Sequence, residues 1–234
     1  MKSEYKRNIF IWSLYDFANS AFTTLVVTFI YATYFTKAIA ENEIIGTALW
    51  SRAISLTAII VAISSPIMGF IADKSRLRKT FLIFLTYLSI FGSFMLFFAM
   101  PGQVLRALIW FVIANIGFEL SGVFYNAYLP EIAPKEKIGR VSGYGWSFGY
   151  IGGLLCLVIA LIAFVNPDIP WFGFSKLEGE NIRATNILVS LWYFIFSLPF
   201  IIIIKTKPKK IYHKSKLNIS TQFKDVFSTF NDLK

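Results

Sequence analysis

Charge is missing from this chain in long, regularly spaced stretches, and that spacing decides what it can fold into. Nothing between Asp16 and Lys37 is charged, nor between Arg52 and Asp73, nor between Lys79 and the Pro101-Gly102 break. Only Glu119 interrupts the run from Arg106 to Glu131, and two further runs extend from Arg140 to Asn166-Pro167 and from Ala184 to Ile204. Each is long enough for a helix of about 20 residues to cross a bilayer. The runs are continuous rather than alternating, and a lipid interior accepts only helices or closed barrels. The expected fold is therefore an all-α membrane protein, a bundle of six transmembrane helices. Twelve spans would need roughly 240 residues before any loop, more than the 234 present, so a complete twelve-helix arrangement is excluded.

Composition removes most soluble alternatives. The chain is 56% hydrophobic and 15% charged, where soluble domains carry roughly a quarter of their residues as charges. One cysteine, Cys156, and one histidine, His213, leave no disulfide framework, no cysteine-based zinc site and little imidazole chemistry. No metal, no cofactor and no covalent catalysis are expected. Lys and Arg collect on one side of the spans, in the N-terminus (Lys2, Lys6, Arg7) and in the second and fourth loops (Lys74, Arg76, Arg78, Lys79; Lys135, Lys137, Arg140). The opposite side holds Lys37, Arg52, Arg106, Lys176 and Arg183. By the positive-inside rule both ends of this segment are cytoplasmic, and the +10 net charge needs no nucleic acid. Trp12 and Trp146 near the inner ends, and Trp50, Trp110 and Trp171 near the outer ones, are expected at head-group level. Arg52 and Arg106 are expected as snorkelling anchors. Ala38-Ile39-Ala40 mimics a signal-peptidase site, but the first run is too long for a signal core and carries Asp16 and Asn19, which suits a retained helix.

Polar residues inside the spans cost energy and so need a reason. Glu119 falls mid-span, where even lenient insertion scales charge an ionised carboxylate about 2.5 to 3.5 kcal/mol. Such a carboxyl favours its neutral form until water reaches it, the behaviour of a coupling group. Asn115, Glu119, Gly122 and Asn126 recur at helical spacing as one polar and small stripe. The first helix repeats the theme with Trp12, Asp16, Asn19 and Thr23. Glu119 could instead stay protonated and bond a neighbouring helix, and Asp16 could pair with a basic residue at the cytoplasmic end. In the fifth helix Gly145, Gly149 and Gly153 lie four apart, a spacing that lets another helix approach closely. Beyond Lys205 the chain turns basic, and Ile219, Phe223, Val226, Phe227 and Phe230 fall at the spacing of an amphipathic interfacial helix.

Between the second and third spans stands Gly69-Phe70-Ile71-Ala72-Asp73-Lys74-Ser75-Arg76-Leu77-Arg78-Lys79. It resembles the signature loop of the major facilitator superfamily, with Arg76 where a second glycine is usual. Trp12 to Phe22, Phe124 to Ile132, and Gly139 to Trp146 followed by Gly149 to Gly153 resemble the vacuole-effluxer-like branch, named for the autophagy-related vacuolar amino-acid exporter of yeast. Leu191-Trp192-Tyr193 and Ser197-Leu198-Pro199 fit its sixth helix. The resemblance implies a transporter of two six-helix bundles, each made of two inverted three-helix repeats, with a midplane cavity lined by the first and fourth helices. Residues 1–204 would be the N-terminal bundle and 205–234 a cytoplasmic basic central loop with an amphipathic segment, the second bundle being absent from this chain.

On that footing the expected pathway residues are Asp16, Asn19, Asn115, Glu119 and Asn126. The expected gating loop is Gly69, Asp73, Lys74, Arg78 and Lys79, and the expected helix-packing residues are Gly145, Gly149 and Gly153. The expected partners are a small-molecule solute, membrane lipid and the C-terminal half of the same protein, in a plasma (inner) membrane. Two other readings keep the same spans: a six-helix scaffold or receptor-like module, and a half-size transporter working as a homodimer.

Overall fold

The computed structural model describes residues 2–75 and 77–204, without the side chains of 2, 3 and 73–75. Six helices among these residues are long and apolar enough to cross a membrane: α1 (Glu4–Ile39), α2 (Glu43–Ala72), α3 (Arg78–Phe98), α4 (Val104–Ile132), α5 (Lys135–Val165) and α6 (Leu177–Ile203). No strand occurs among the described residues. With mean hydropathies of 1.3 to 2.2 in five of them and 2.6 in α5, these helices are too apolar for a water-facing surface. The protein is an integral membrane protein.

The helices run past the charge-free stretches. The helical backbone of α1 begins at Lys2 rather than after Asp16, and α2 begins at Glu43, upstream of Arg52. Lys and Arg at span ends extend their stems along the helix to reach polar surroundings, so a charge does not end a helix as it ends a hydropathy window. Glycines at positive φ sharpen the connections. Gly102 (φ 81°) turns the chain between α3 and α4, and its N–H donates to the carbonyl of Ile39 at 3.1 Å. Gly179 (φ 65°) precedes the regular part of α6 and lies against the Tyr34 ring. α1 is interrupted by π-helical stretches at Phe22–Phe29 and Phe35–Ile39, where Ile30 N–H reaches back to the carbonyl of Leu25 and Ala40 N–H to that of Phe35. Pro66 and Pro199 sit inside α2 and α6.

Packing follows a repeating scheme. α1 lies against α5 and α6, α4 lies against α2 and α3, and α3 meets α6. Exchanging helices α1, α2, α3 for α4, α5, α6 maps this set of contacts onto itself, as two related three-helix units would. Two buried clusters fill the bundle. Near the end carrying Lys6 and Arg140, here the basic end, Trp12, Tyr15, Leu82, Leu120, Tyr125, Tyr193 and Phe200 pack together. Toward the other end Phe22, Leu25, Tyr31, Phe35, Trp50 and Phe111 do so. The change from one to the other falls between Ala18 and Ala21 on α1 and between Ala114 and Leu120 on α4.

Three residues differ from their expected surroundings. Trp50, expected at head-group level, is buried, its ring stacked 3.9 Å from that of Phe111. Trp12 is likewise core. Arg183, expected in an outer loop, is buried within α6, where Nη1 donates to the Phe97 carbonyl at 2.9 Å and the guanidinium lies 5.6 Å from the Phe97 ring centre. In each case the neighbours are aromatic rings from other helices, which no local pattern announces.

Candidate functional site

Where the two clusters change over, α1, α4 and α5 leave a groove of about 570 Å³. The helical spacing of α1 brings Asp16, Asn19, Ser20, Thr23 and Thr24 to one wall, and that of α4 brings Glu119, Gly122 and Asn126 to another. Phe118, Tyr125, Trp146, Gly149 and Tyr150 complete the lining. Asp16 and Glu119 form no ion pair with another described residue, and no described lysine or arginine lines the groove. The side chain of Glu119 is exposed, and Asp16 is half-buried. Two carboxyl groups without a cation, among hydroxyls, amides and ring faces, make a site suited to a positive or proton-donating group.

The expected pathway residues divide. Asp16, Asn19, Glu119 and Asn126 meet in this groove. Asn115, on the same helical stripe of α4, is buried and does not line it. A stripe drawn on one helix has no knowledge of where a neighbour covers it.

The α5 glycines position the groove's second wall. A Cβ on Gly145 would come within 2.5 Å of the Trp12 ring and 3.1 Å of Asp16 Oδ2, and one on Gly149 within 2.6 Å of Ser20 Oγ. One on Gly153 would collide with Thr24 Oγ1. The tightest approach belongs to Gly152, whose Cβ would overlap the backbone carbonyl of Phe17. This run of small residues lets α1 and α5 lie backbone to backbone, with Trp146 and Tyr150 emerging on the groove side.

At the basic end the groove is closed by rings. Trp12 and Tyr125 stack at 4.6 Å, and Tyr15 stacks on Tyr125 at 4.7 Å. The first pair is joined twice: Trp12 Nε1–H donates to the Tyr125 carbonyl at 3.4 Å, and the Tyr125 hydroxyl donates to the Trp12 carbonyl at 2.9 Å. The Tyr15 hydroxyl lies 2.6 Å from Thr86 Oγ1 and 3.2 Å from the Tyr193 hydroxyl, which is 3.3 Å from Ser121 Oγ. Because Thr86 donates to the Leu82 carbonyl, Tyr15 must be the donor to Thr86. Tyrosine, threonine and serine carry no charge, so this network left no mark in the charge map.

The loop residues expected to gate are dispersed. Gly69 has open space around it. Arg78 is buried and paired with Glu131 at the end of α4, with a further bond to the Ala127 carbonyl at 3.3 Å. Lys79 donates to the carbonyl of Ile204 at 2.9 Å, at the C-terminal end of α6, where a cation meets the negative end of the helix dipole. Both residues thus bind within this bundle. The side chains of Asp73 and Lys74 lie outside the described residues, as does the whole of 205–234 with its expected amphipathic segment.

Comparison with known proteins agrees with this arrangement. The family described as vacuole effluxer Atg22 like matches residues 38–234. An MFS-type transporter of Bacillus subtilis strain 168, YxiO, is 28% identical over 193 residues, which are 81% of this chain and 45% of that protein. Autophagy-related protein 22-1 of Penicillium rubens is 22% identical over 232 residues, covering 72% of this chain and 38% of its own. In structure, the chain is similar to the xylose transporter XylE of E. coli in a partially occluded inward-open conformation, with a TM-score of 0.64 at 16% identity over 86% of this chain and 50% of that one. The proton:xylose symporter XylE bound to 6-bromo-6-deoxy-D-glucose gives a TM-score of 0.65 at 17% identity, over 87% and 45%. The chain spans about half the length, or less, of the relatives it matches. It belongs to the vacuole effluxer Atg22 like family, within the major facilitator transporters.

Proposed function

We propose that these six helices form one of two bundles of a secondary transporter that moves small ammonium-bearing solutes, amino acids among them, by alternating access. Residues 1–204 would serve as the N-terminal bundle and 205–234 as the central loop, with both ends of the segment cytoplasmic in a plasma (inner) membrane. What carries the reading is the groove: two carboxyl groups, Asp16 and Glu119, with no described cation beside them, next to the rings of Trp146 and Tyr150. An ammonium group meets charge from the carboxylates and quadrupole from the rings, whereas an anionic solute would meet repulsion.

In this mechanism Glu119 exchanges a proton as the groove alternately meets water from either side, and Asp16 holds the solute's ammonium. Asn19 and Asn126 supply neutral hydrogen bonds, and Asn115 steadies α4 behind them. The glycine contact between α1 and α5 keeps Trp146 and Tyr150 against the solute. Gly69, Asp73 and Lys74 would bear on the second bundle, while Arg78 and Lys79 hold the ends of α4 and α6 in place.

The test uses full-length protein in proteoliposomes, with radiolabelled neutral, cationic and anionic amino acids and with or without a pH gradient. Wild type should take up neutral or cationic amino acids faster when the gradient is imposed, and Glu119→Gln should abolish that response. Unchanged gradient dependence in Glu119→Gln removes proton coupling through this residue. Preferential uptake of anionic amino acids removes the ammonium assignment.

A further inference from the structure

A second groove, of about 410 Å³, opens between α1 and α5 at the basic end, away from the transport groove. Its rim carries Lys6, Lys137 and Arg140, and its wall is made by Ile9, Phe10 and Phe148. All three cations are exposed, and none forms an ion pair with a described residue. By contrast Arg7, close by on α1, is within 3.9 Å of Glu4. α1 and α5 both start at this end, so both direct the positive ends of their dipoles toward it.

The depth of the groove holds a second anomaly. Ser13 lines it and is 1% exposed, yet its hydroxyl has no hydrogen-bond partner among the described residues. Ser93 and Ser147 return their hydroxyls to the preceding turn, to the Ser89 and Gly143 carbonyls, whereas Ser89 shares the unpartnered state of Ser13 but lies away from this groove. A buried polar atom left without a partner is the exception among native groups. Phe10 and Phe148 meet edge to face at 5.8 Å beside it, with Phe10 still 54% exposed.

We propose that this groove binds one anionic phospholipid, its phosphate held by Lys6, Lys137 and Arg140 and the first part of an acyl chain laid against Ile9, Phe10 and Phe148. Cations at the rim above an apolar wall reproduce the order of charge and hydrocarbon in a lipid, which free phosphate lacks. The site requires only that the bundle spans a membrane, and it stands whether or not the transported solute is an amino acid.

Native mass spectrometry of full-length detergent-purified protein, titrated with phosphatidylglycerol and with phosphatidylcholine, tests it. Wild type should retain phosphatidylglycerol at least about fivefold more tightly, the worth of a single juxtamembrane cation. Lys137→Gln and Arg140→Gln should each weaken that binding about fivefold, whereas Lys135→Gln, outside the groove, should leave it unchanged. Because the substituted side chains are exposed, the fold is retained in every variant. Equal binding of the two lipids by wild type would overturn the proposal, as would equal loss in Lys135→Gln or full binding in the Lys137→Gln and Arg140→Gln double variant. Displacement of the lipid by millimolar inorganic phosphate would also overturn it, by making the cations a soluble-anion site.

Discussion

Helices α1 and α4 meet in two ways within a few residues of each other, and the contrast shows what each stretch is built for. At the basic end Trp12, Tyr15 and Tyr125 are stacked, buried and joined by reciprocal hydrogen bonds to backbone. One turn along, Asp16, Asn19, Glu119 and Asn126 face an open groove, and neither carboxyl group has a cationic partner among the described residues. In the first stretch the side-chain polar atoms of Trp12, Tyr15 and Tyr125 are bonded within the bundle. The second leaves its two carboxyl groups lining the groove, where the proposed mechanism places solute and water. Sequence neighbours thus serve opposite ends: Tyr15 closes the bundle, and Asp16 opens it.

The comparison breaks or sharpens by substitution in the full-length protein, with thermal unfolding in detergent as the common measure. Tyr125→Ala removes three ring contacts, to Trp12, Tyr15 and Phe200, and a hydroxyl from the dry stretch and should cost about 3 to 5 kcal/mol. A loss no larger than that of a surface change would mean that the rings are not what holds α1 to α4. Gly152→Ala drives a methyl into the Phe17 carbonyl and should cost about 1 to 3 kcal/mol. Gly149→Ala meets the rotatable Ser20 hydroxyl instead and should cost less than Gly152→Ala; the reverse order would relocate the close contact. Tyr125→Phe keeps the rings and deletes one interhelical bond, so a change near 0.6 kcal/mol is expected. Smallest of all, Glu119→Gln should shift stability by no more than about 0.5 kcal/mol while the response of transport to a pH gradient is lost. If unfolding responds to Glu119→Gln as strongly as to Tyr125→Ala, the groove is a structural contact after all.

The six spans were legible because lipid excludes charge wherever it meets a helix, and that leaves a one-dimensional trace. Glu119 was legible for the same reason, as an exception inside such a trace, and Asp16 as an acid at the edge of one. Their meeting in one groove was not, since it depends on how α1 and α4 are turned, and Asn115 shows how a stripe on one helix overruns the part a neighbour leaves open. The pairing of Arg78 with Glu131 was not legible, because Glu131 lies far along the chain. Arg183 looked like a loop residue because its neighbours, the Phe97 carbonyl and ring, come from another helix. Trp50 followed a rule for interfaces that its stacking on Phe111 overrides. The loop side chains of Asp73 and Lys74 and the tail 205–234 lie outside the described residues, so the reading of those parts stands on the sequence alone.

The wide turns of α1 at Phe22–Phe29 lie directly beyond Ser20, at the far edge of the groove. A turn closed from Ile30 back to Leu25 carries one residue more than an α-helical turn does. Removing a single residue there would restore ordinary winding and leave both halves facing as before, whereas the same deletion in a regular stretch would rotate everything beyond it by about 100°. Those turns are accordingly where the first helix can accept a change of length during evolution without scrambling which side chains look inward.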